Sequence, residues 1–165
     1  MQPGGPPASP FVVLLAGTYQ PVVRCPDLGL TMVEHCDGTY STTKIYPVSG
    51  PDEKEQTNRG NHLGDRDRQT EKAIGNFYVS IGGGMAVAYD LPGGAMAMVF
   101  TGSNVQNVPD GQGGTFTVGT FDLSITEATG IYQSFVGGGN KMVDILHRLG
   151  DGTFVEHCYC NISRP

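Results

Sequence analysis

A single antiparallel β-barrel of about eight strands, closed around a central ligand cavity, is the fold class that this 165-residue sequence predicts. Three observations predict it. Glycine is abundant, at 25 residues, and recurs between short runs rich in Val, Ile, Phe, Tyr and Thr, the pattern of strands and tight turns. No long segment of helical period, rich in Leu, Glu, Lys and Ala, interrupts those runs. The turn signals join neighbouring runs directly, so the connections are hairpins, and closing an antiparallel sheet removes its exposed edges.

Taken in order, residues 1–10 (MQPGGPPASP) are a disordered Pro/Gly-rich tail and 11–165 form the one barrel domain. Runs 11–19 and 28–36 read as strands separated by Pro21 and Pro26, and Asp37-Gly38 turns the chain into the β-branched return run 39–46. Residues 50–73 are polar, charged and aperiodic, and form a long loop that is either a solvated excursion or a functional lid. Strands 77–81 and 85–89 flank Gly82-Gly83-Gly84, and Leu91-Pro92-Gly93-Gly94 turns into 95–100. There Met96, Met98 and Phe100 share one face, either as ordinary core or as the wall of an adaptable apolar cavity. Residues 102–114 read as a loop and 115–125 as a strand. Gly119 sits where Phe116 and Val118 give way to Phe121, Leu123 and Ile125, which predicts a β-bulge.

The last two runs, 140–149 and 153–162, meet at Gly150-Asp151-Gly152, a strong hairpin signal. A two-residue Asp151-Gly152 turn would pair Leu149 with Phe154, His147 with Glu156, Ile145 with Cys158 and Val143 with Cys160. Those eight side chains share a face that is apolar except for the His–Glu pair, and this face is expected inside. The opposite face is mixed.

Charge and cysteine content narrow the function classes. A net charge of −6 argues against nucleic-acid binding, and no apolar run reaches the length of a membrane span. The N-terminus lacks the basic residues of a signal peptide, so a cytoplasmic location is expected. Cys25, Cys36, Cys158 and Cys160 show no zinc-finger spacing and read as free, buried thiols. Gly137-Gly138-Gly139-Asn140-Lys141 lacks the frame of a phosphate loop.

Asn61-His62-Leu63-Gly64-Asp65 ahead of Ile74-Gly75, and Ala128-Thr129-Gly130-Ile131-Tyr132-Gln133-Ser134-Phe135-Val136-Gly137, resemble the allene oxide cyclase and dirigent superfamily. The resemblance spans roughly residues 60–162 and rests on glycines and aromatics. Glu127-Ala128 stands where the superfamily usually has a double glycine, and no catalytic residue is carried over. The better likeness is to microbial barrels of this superfamily that act as cofactor-free cyclases in natural-product pathways. It implies ring closure in a hydrophobic, oxygenated small molecule, either pericyclic or by adding a hydroxyl to an alkene or epoxide. It also implies a homodimer or homotrimer, with no cofactor. The alternative is a dirigent- or lipocalin-like barrel that binds a small molecule without catalysis.

The candidate catalytic residues follow from chemistry. Glu156 opposite His147 would set the imidazole tautomer and raise its basicity, a pair suited to moving a proton. Val33-Glu34-His35-Cys36 echoes Val155-Glu156-His157-Cys158. If the two tetrads are neighbours with Glu34 and Glu156 inward, one carboxyl gains a raised pKa. If the histidines turn outward near Asp144, a metal becomes conceivable, but the ligand spacing fits no motif and none is expected. Tyr89, Met96, Met98, Phe100, Phe121, Leu123, Ile145, Phe154 and Cys158 are the expected substrate-binding residues.

Overall fold

The computed structural model describes residues 5–22, 27–31, 40–47, 75–80 and 86–165, with the backbone alone for 19–22, 40–47, 80 and 86. The strands are β1 (Phe11–Val22), β2 (Tyr40–Pro47), β3 (Gly75–Ser80), β4 (Ala86–Leu91), β5 (Gly94–Pro109), β6 (Thr115–Ala128), β7 (Gly139–Arg148) and β8 (Phe154–Ser163). Each pairs antiparallel with the next, and β8 pairs back onto β1, closing the eight-stranded barrel. The Glu34 tetrad and the loop 50–73 lie outside the described residues.

Side chains alternate between the two sides of the wall. Leu15 of β1, Phe77 of β3, Tyr89 of β4, Met96 and Met98 of β5, Leu123 and Ile125 of β6, Met142 of β7, and Cys160 and Ile162 of β8 belong to one buried interior cluster. A 3₁₀ helix, Gly130–Phe135, carries the chain from β6 to β7 and folds Tyr132 and Phe135 into that cluster. Phe11 meets Phe135 edge-on at 5.3 Å, and the Arg164 guanidinium lies 4.5 Å from the Phe135 ring. Gly130 opens the helix at φ +61°, where a Cβ would overlap the Gly93 carbonyl oxygen, so glycine is required there.

Four expectations are corrected. Residues 27–31 are not strand. Leu30 is buried in a second cluster with Ala88, Ala95 and Ala97 on the outer side of β4 and β5, and the Thr31 amide donates to the Glu127 carboxylate at 3.0 Å. Small alanines leave that outer surface open to a covering segment. The expected loop 102–114 is mostly ladder, because β5 pairs with β6 continuously from Gly102–Asp122 to Pro109–Thr115. Its Ser, Asn and Gln residues are exposed, so their polarity imitates a loop. Only 110–114 turn, around an Asp110 carboxylate that accepts the amides of Gln112 at 2.7 Å and Gly114 at 2.8 Å.

No bulge occurs at Gly119, since β6 and β7 pair without interruption from Thr115 to Ser124. Phe116 and Val118 point outward while residues 119, 121, 123 and 125 point inward, so a single alternation explains the sequence. The register shifts instead lie between Ala97 and Met98 and between Phe100 and Gly102. Gly119 makes room, because a Cβ there would sit 2.8 Å from the Phe121 ring.

The last difference, in the terminal hairpin, sets the geometry of the site. The terminal hairpin turns through three residues, Gly150-Asp151-Gly152. The Gly152 amide bonds the Leu149 carbonyl at 3.0 Å, and the Leu149 amide bonds the Thr153 carbonyl at 2.8 Å. Gly152 takes φ +90°, as the third residue of such a loop requires. The Asp151 carboxylate accepts the Thr153 amide at 2.9 Å and its hydroxyl at 2.7 Å. Relative to a two-residue turn, the register slips by one. His147 pairs with Val155, Leu146 with Glu156, Asp144 with Cys158 and Met142 with Cys160.

Candidate acid–base site

A one-residue slip turns one strand of a pair over relative to the other. The β8 half of the expected inner face remains inside: Glu156, Cys158 and Cys160 are all buried. The β7 half is exchanged. Val143 is 51 % and Ile145 38 % exposed, and both lie on the outer side. Asn140, Met142, Asp144 and Leu146 face inward. The His147–Glu156 dyad therefore does not form, and Ile145 leaves the substrate-binding set.

His147 has a different partner. Its Nε2 lies 2.9 Å from Asp110 Oδ2, and its ring stacks on Phe116 with centroids 4.1 Å apart. The hydrogen bonds from His147 and from the two loop amides hold the Asp110 carboxyl below the usual carboxylate range. This outer cluster ties the 110–114 loop to β7.

Inside, the partner of Glu156 is Asp144. The two are diagonal neighbours on the inner face of β7 and β8, and their carboxyl groups are hydrogen-bonded. Glu156 is 1 % exposed and Asp144 is half-buried. Burial raises the Asp144 pKa to about 6, against the lowering effect of its bonds to Glu156 and the Ile145 amide. Two carboxyls can hydrogen-bond to each other only if one holds a proton, and a buried site favours that state. The carboxyls are flanked by glycine in the barrel wall: Gly119 pairs with Asp144, and Gly17 pairs with Glu156.

A polar chain continues from this pair through the apolar core. Cys158 Sγ is 3.6 Å from Cys160 Sγ. Tyr89 donates its hydroxyl to Cys160 Sγ at 3.2 Å and accepts from Asn140 Nδ2 at 2.7 Å. Burial pushes the Tyr89 phenol and the Cys158 thiol well above their ordinary ranges, so both stay protonated at neutral pH. Asn140, 1 % exposed, completes the chain on β7.

Of the other expected binding residues, Tyr89, Met96, Met98, Leu123 and Cys158 are core members, with Phe100 and Phe121 packed against them. Phe100 and Phe121 meet at 5.6 Å, nearly edge-on. Phe154 carries the Arg148 guanidinium 4.5 Å over its ring. Glu34 lies outside the described residues. Asp144 was missed because its inward position depends on the length of one loop. The available signal was an acidic residue between Val143 and Ile145, placed diagonally from Glu156 in the alternative register.

The fold and this buried pair define a closed antiparallel barrel with acid–base groups on its inner wall. No family model, curated protein or solved structure matches the chain. Among the described residues, no helix is long and apolar enough to cross a membrane.

Proposed function

We propose that the protein is a cofactor-independent isomerase or cyclase acting on a hydrophobic, oxygenated small molecule, with Asp144 and Glu156 as its acid–base pair. One observation carries this reading: two carboxyls, Asp144 and Glu156, stand within 4.8 Å of each other on the inner wall of the barrel, Glu156 fully buried. A pair that shares one proton can donate one proton and accept another, leaving the total unchanged. That is the requirement of an isomerisation.

In an intramolecular addition of a hydroxyl to an epoxide, the protonated member gives its proton to the epoxide oxygen as the C–O bond breaks. The ionised member takes the proton of the attacking hydroxyl as the new C–O bond forms. Transfer across the carboxyl–carboxyl hydrogen bond then restores the starting state. Half-buried Asp144 is the member placed to meet substrate, with fully buried Glu156 behind it. The likeness to allene oxide cyclase and dirigent barrels supports the same reading, since an eight-stranded antiparallel barrel is the fold it implies.

The test begins with mass spectrometry of small molecules extracted from the denatured, purified protein, followed by assays of isomeric precursors of whatever is found. Replacing Asp144 by Asn should lower turnover roughly 10²–10⁴-fold with ligand binding retained. Undiminished turnover in Asp144→Asn and Glu156→Gln would remove the pair from the mechanism. A bound ligand for which no precursor is converted would favour the non-catalytic binding barrel.

A further inference from the structure

We propose that Asp144, Glu156 and Cys158 form a binding site for a thiophilic divalent cation of the zinc class. A carboxylate oxygen from Asp144, one from Glu156 and the Cys158 Sγ all lie within 4.8 Å of one another. A tetrahedral ion held by these three donors keeps its fourth position for water or a ligand. Oxygen and sulfur ligands on the same ion stand about 3.5 Å apart, so donors within 4.8 Å need to close by at most roughly 1.3 Å.

The hairpin produces this convergence. Cys158 is the cross-strand partner of Asp144, and positions 156 and 158 fall on one face of β8 by simple alternation. Asp144 Oδ1 is buried with no hydrogen-bond partner, a donor atom with an open valence. The donor set also selects the ion. A thiolate beside two carboxylates favours Zn²⁺, whereas Mg²⁺ and Ca²⁺ favour an all-oxygen shell. The site uses the same carboxyl pair as the catalytic reading but does not rest on it: a bound cation displaces the proton the pair shares, so the metal-bound protein is an inhibited state of that enzyme.

The experiment is a titration of chelator-treated, reduced, full-length protein with Co²⁺ in the absence of oxygen. A single equivalent should bind with intense visible bands of tetrahedral cobalt and a near-ultraviolet thiolate-to-cobalt absorption, and Zn²⁺ should displace it. Cys158→Ser should lose the near-ultraviolet absorption, and Asp144→Asn should weaken Co²⁺ binding at least roughly tenfold. Circular dichroism checks that each variant keeps the barrel. If Cys158→Ser does not fold, the affinity loss in Asp144→Asn carries the test. Folded wild-type protein that takes up no Co²⁺, or whose spectrum is weak and octahedral, overturns the site. Cobalt uptake without any turnover would separate the two proposals in one direction. Turnover lost in Asp144→Asn with no cobalt uptake would separate them in the other.

Discussion

Asp144→Asn should make the metal-free protein more stable, and only at higher pH. The substitution keeps the shape of the side chain and its capacity to hydrogen-bond Glu156, but removes the ionisation. In the folded protein burial raises the Asp144 pKa from an ordinary 3.8 to about 6. Below about pH 4 the carboxyl is protonated in both folded and unfolded chains and contributes no difference. Between about 4 and 6 the folded state holds a proton that the unfolded state has released, so stability falls as pH rises. The penalty is complete above about pH 6 and amounts to about 3 kcal/mol at 1.36 kcal/mol per pKa unit. For a domain of this size that corresponds to a rise in Tm of roughly 6–12 °C in the variant. The assay is urea unfolding of both proteins at a series of pH values from 4 to 8 with a chelator present. Groups common to both, such as His157, whose pKa burial lowers, cancel in the difference. A stability difference that does not change across this range would refute the buried, proton-holding Asp144.

Two further predictions concern the packing around the site. Tyr89→Phe removes the hydroxyl that joins Asn140 to Cys160 and leaves the buried Asn140 amide without its 2.7 Å acceptor. Urea unfolding should show a loss of about 1–3 kcal/mol. Gly130→Ala places a Cβ on the Gly93 carbonyl and puts a non-glycine residue at φ +61°. Thermal melting should show a loss of at least about 2 kcal/mol, the left-handed backbone supplying about 1–2 of it and the collision the rest.

Much of the barrel was legible because its signals are local. Turn signals between β-branched runs located all eight strands, β2 as the run 39–46 and β5 only over its first part, and alternation placed Met96, Met98, Leu123 and Cys158 in the interior. Misreadings arose where composition and pairing disagree. Ser103, Asn104, Gln106 and Asn107 are polar yet hydrogen-bonded in a ladder, because a strand exposed on its faces needs no apolar residues. Leu28 and Leu30 imitate a strand because alternate apolar residues also suit a segment lying on the outside of a sheet. On β7 the two faces are nearly equal in hydrophobicity, Met142 and Leu146 against Val143 and Ile145. Residue pattern alone could not choose between them, and the choice fell to the turn.

The candidate site consequently depends on whether Gly150 belongs to a strand or to the loop. As the last strand residue it would bring His147 opposite Glu156 and turn Asp144 away from it. As the first residue of a three-residue loop it leaves Glu156 inside but brings Asp144 beside it. The local chemistry favours the longer loop: Gly152 accepts φ +90°, and Asp151 holds Thr153 by both amide and hydroxyl. Those contacts offset part of the cost of placing two carboxyls beside buried thiols, a cost that apolar residues at 144 and 156 would avoid. An arrangement that lowers stability at neutral pH and brings three donor groups together on one wall has the character of a site for a ligand, a proton or a cation. Simple core packing does not require it.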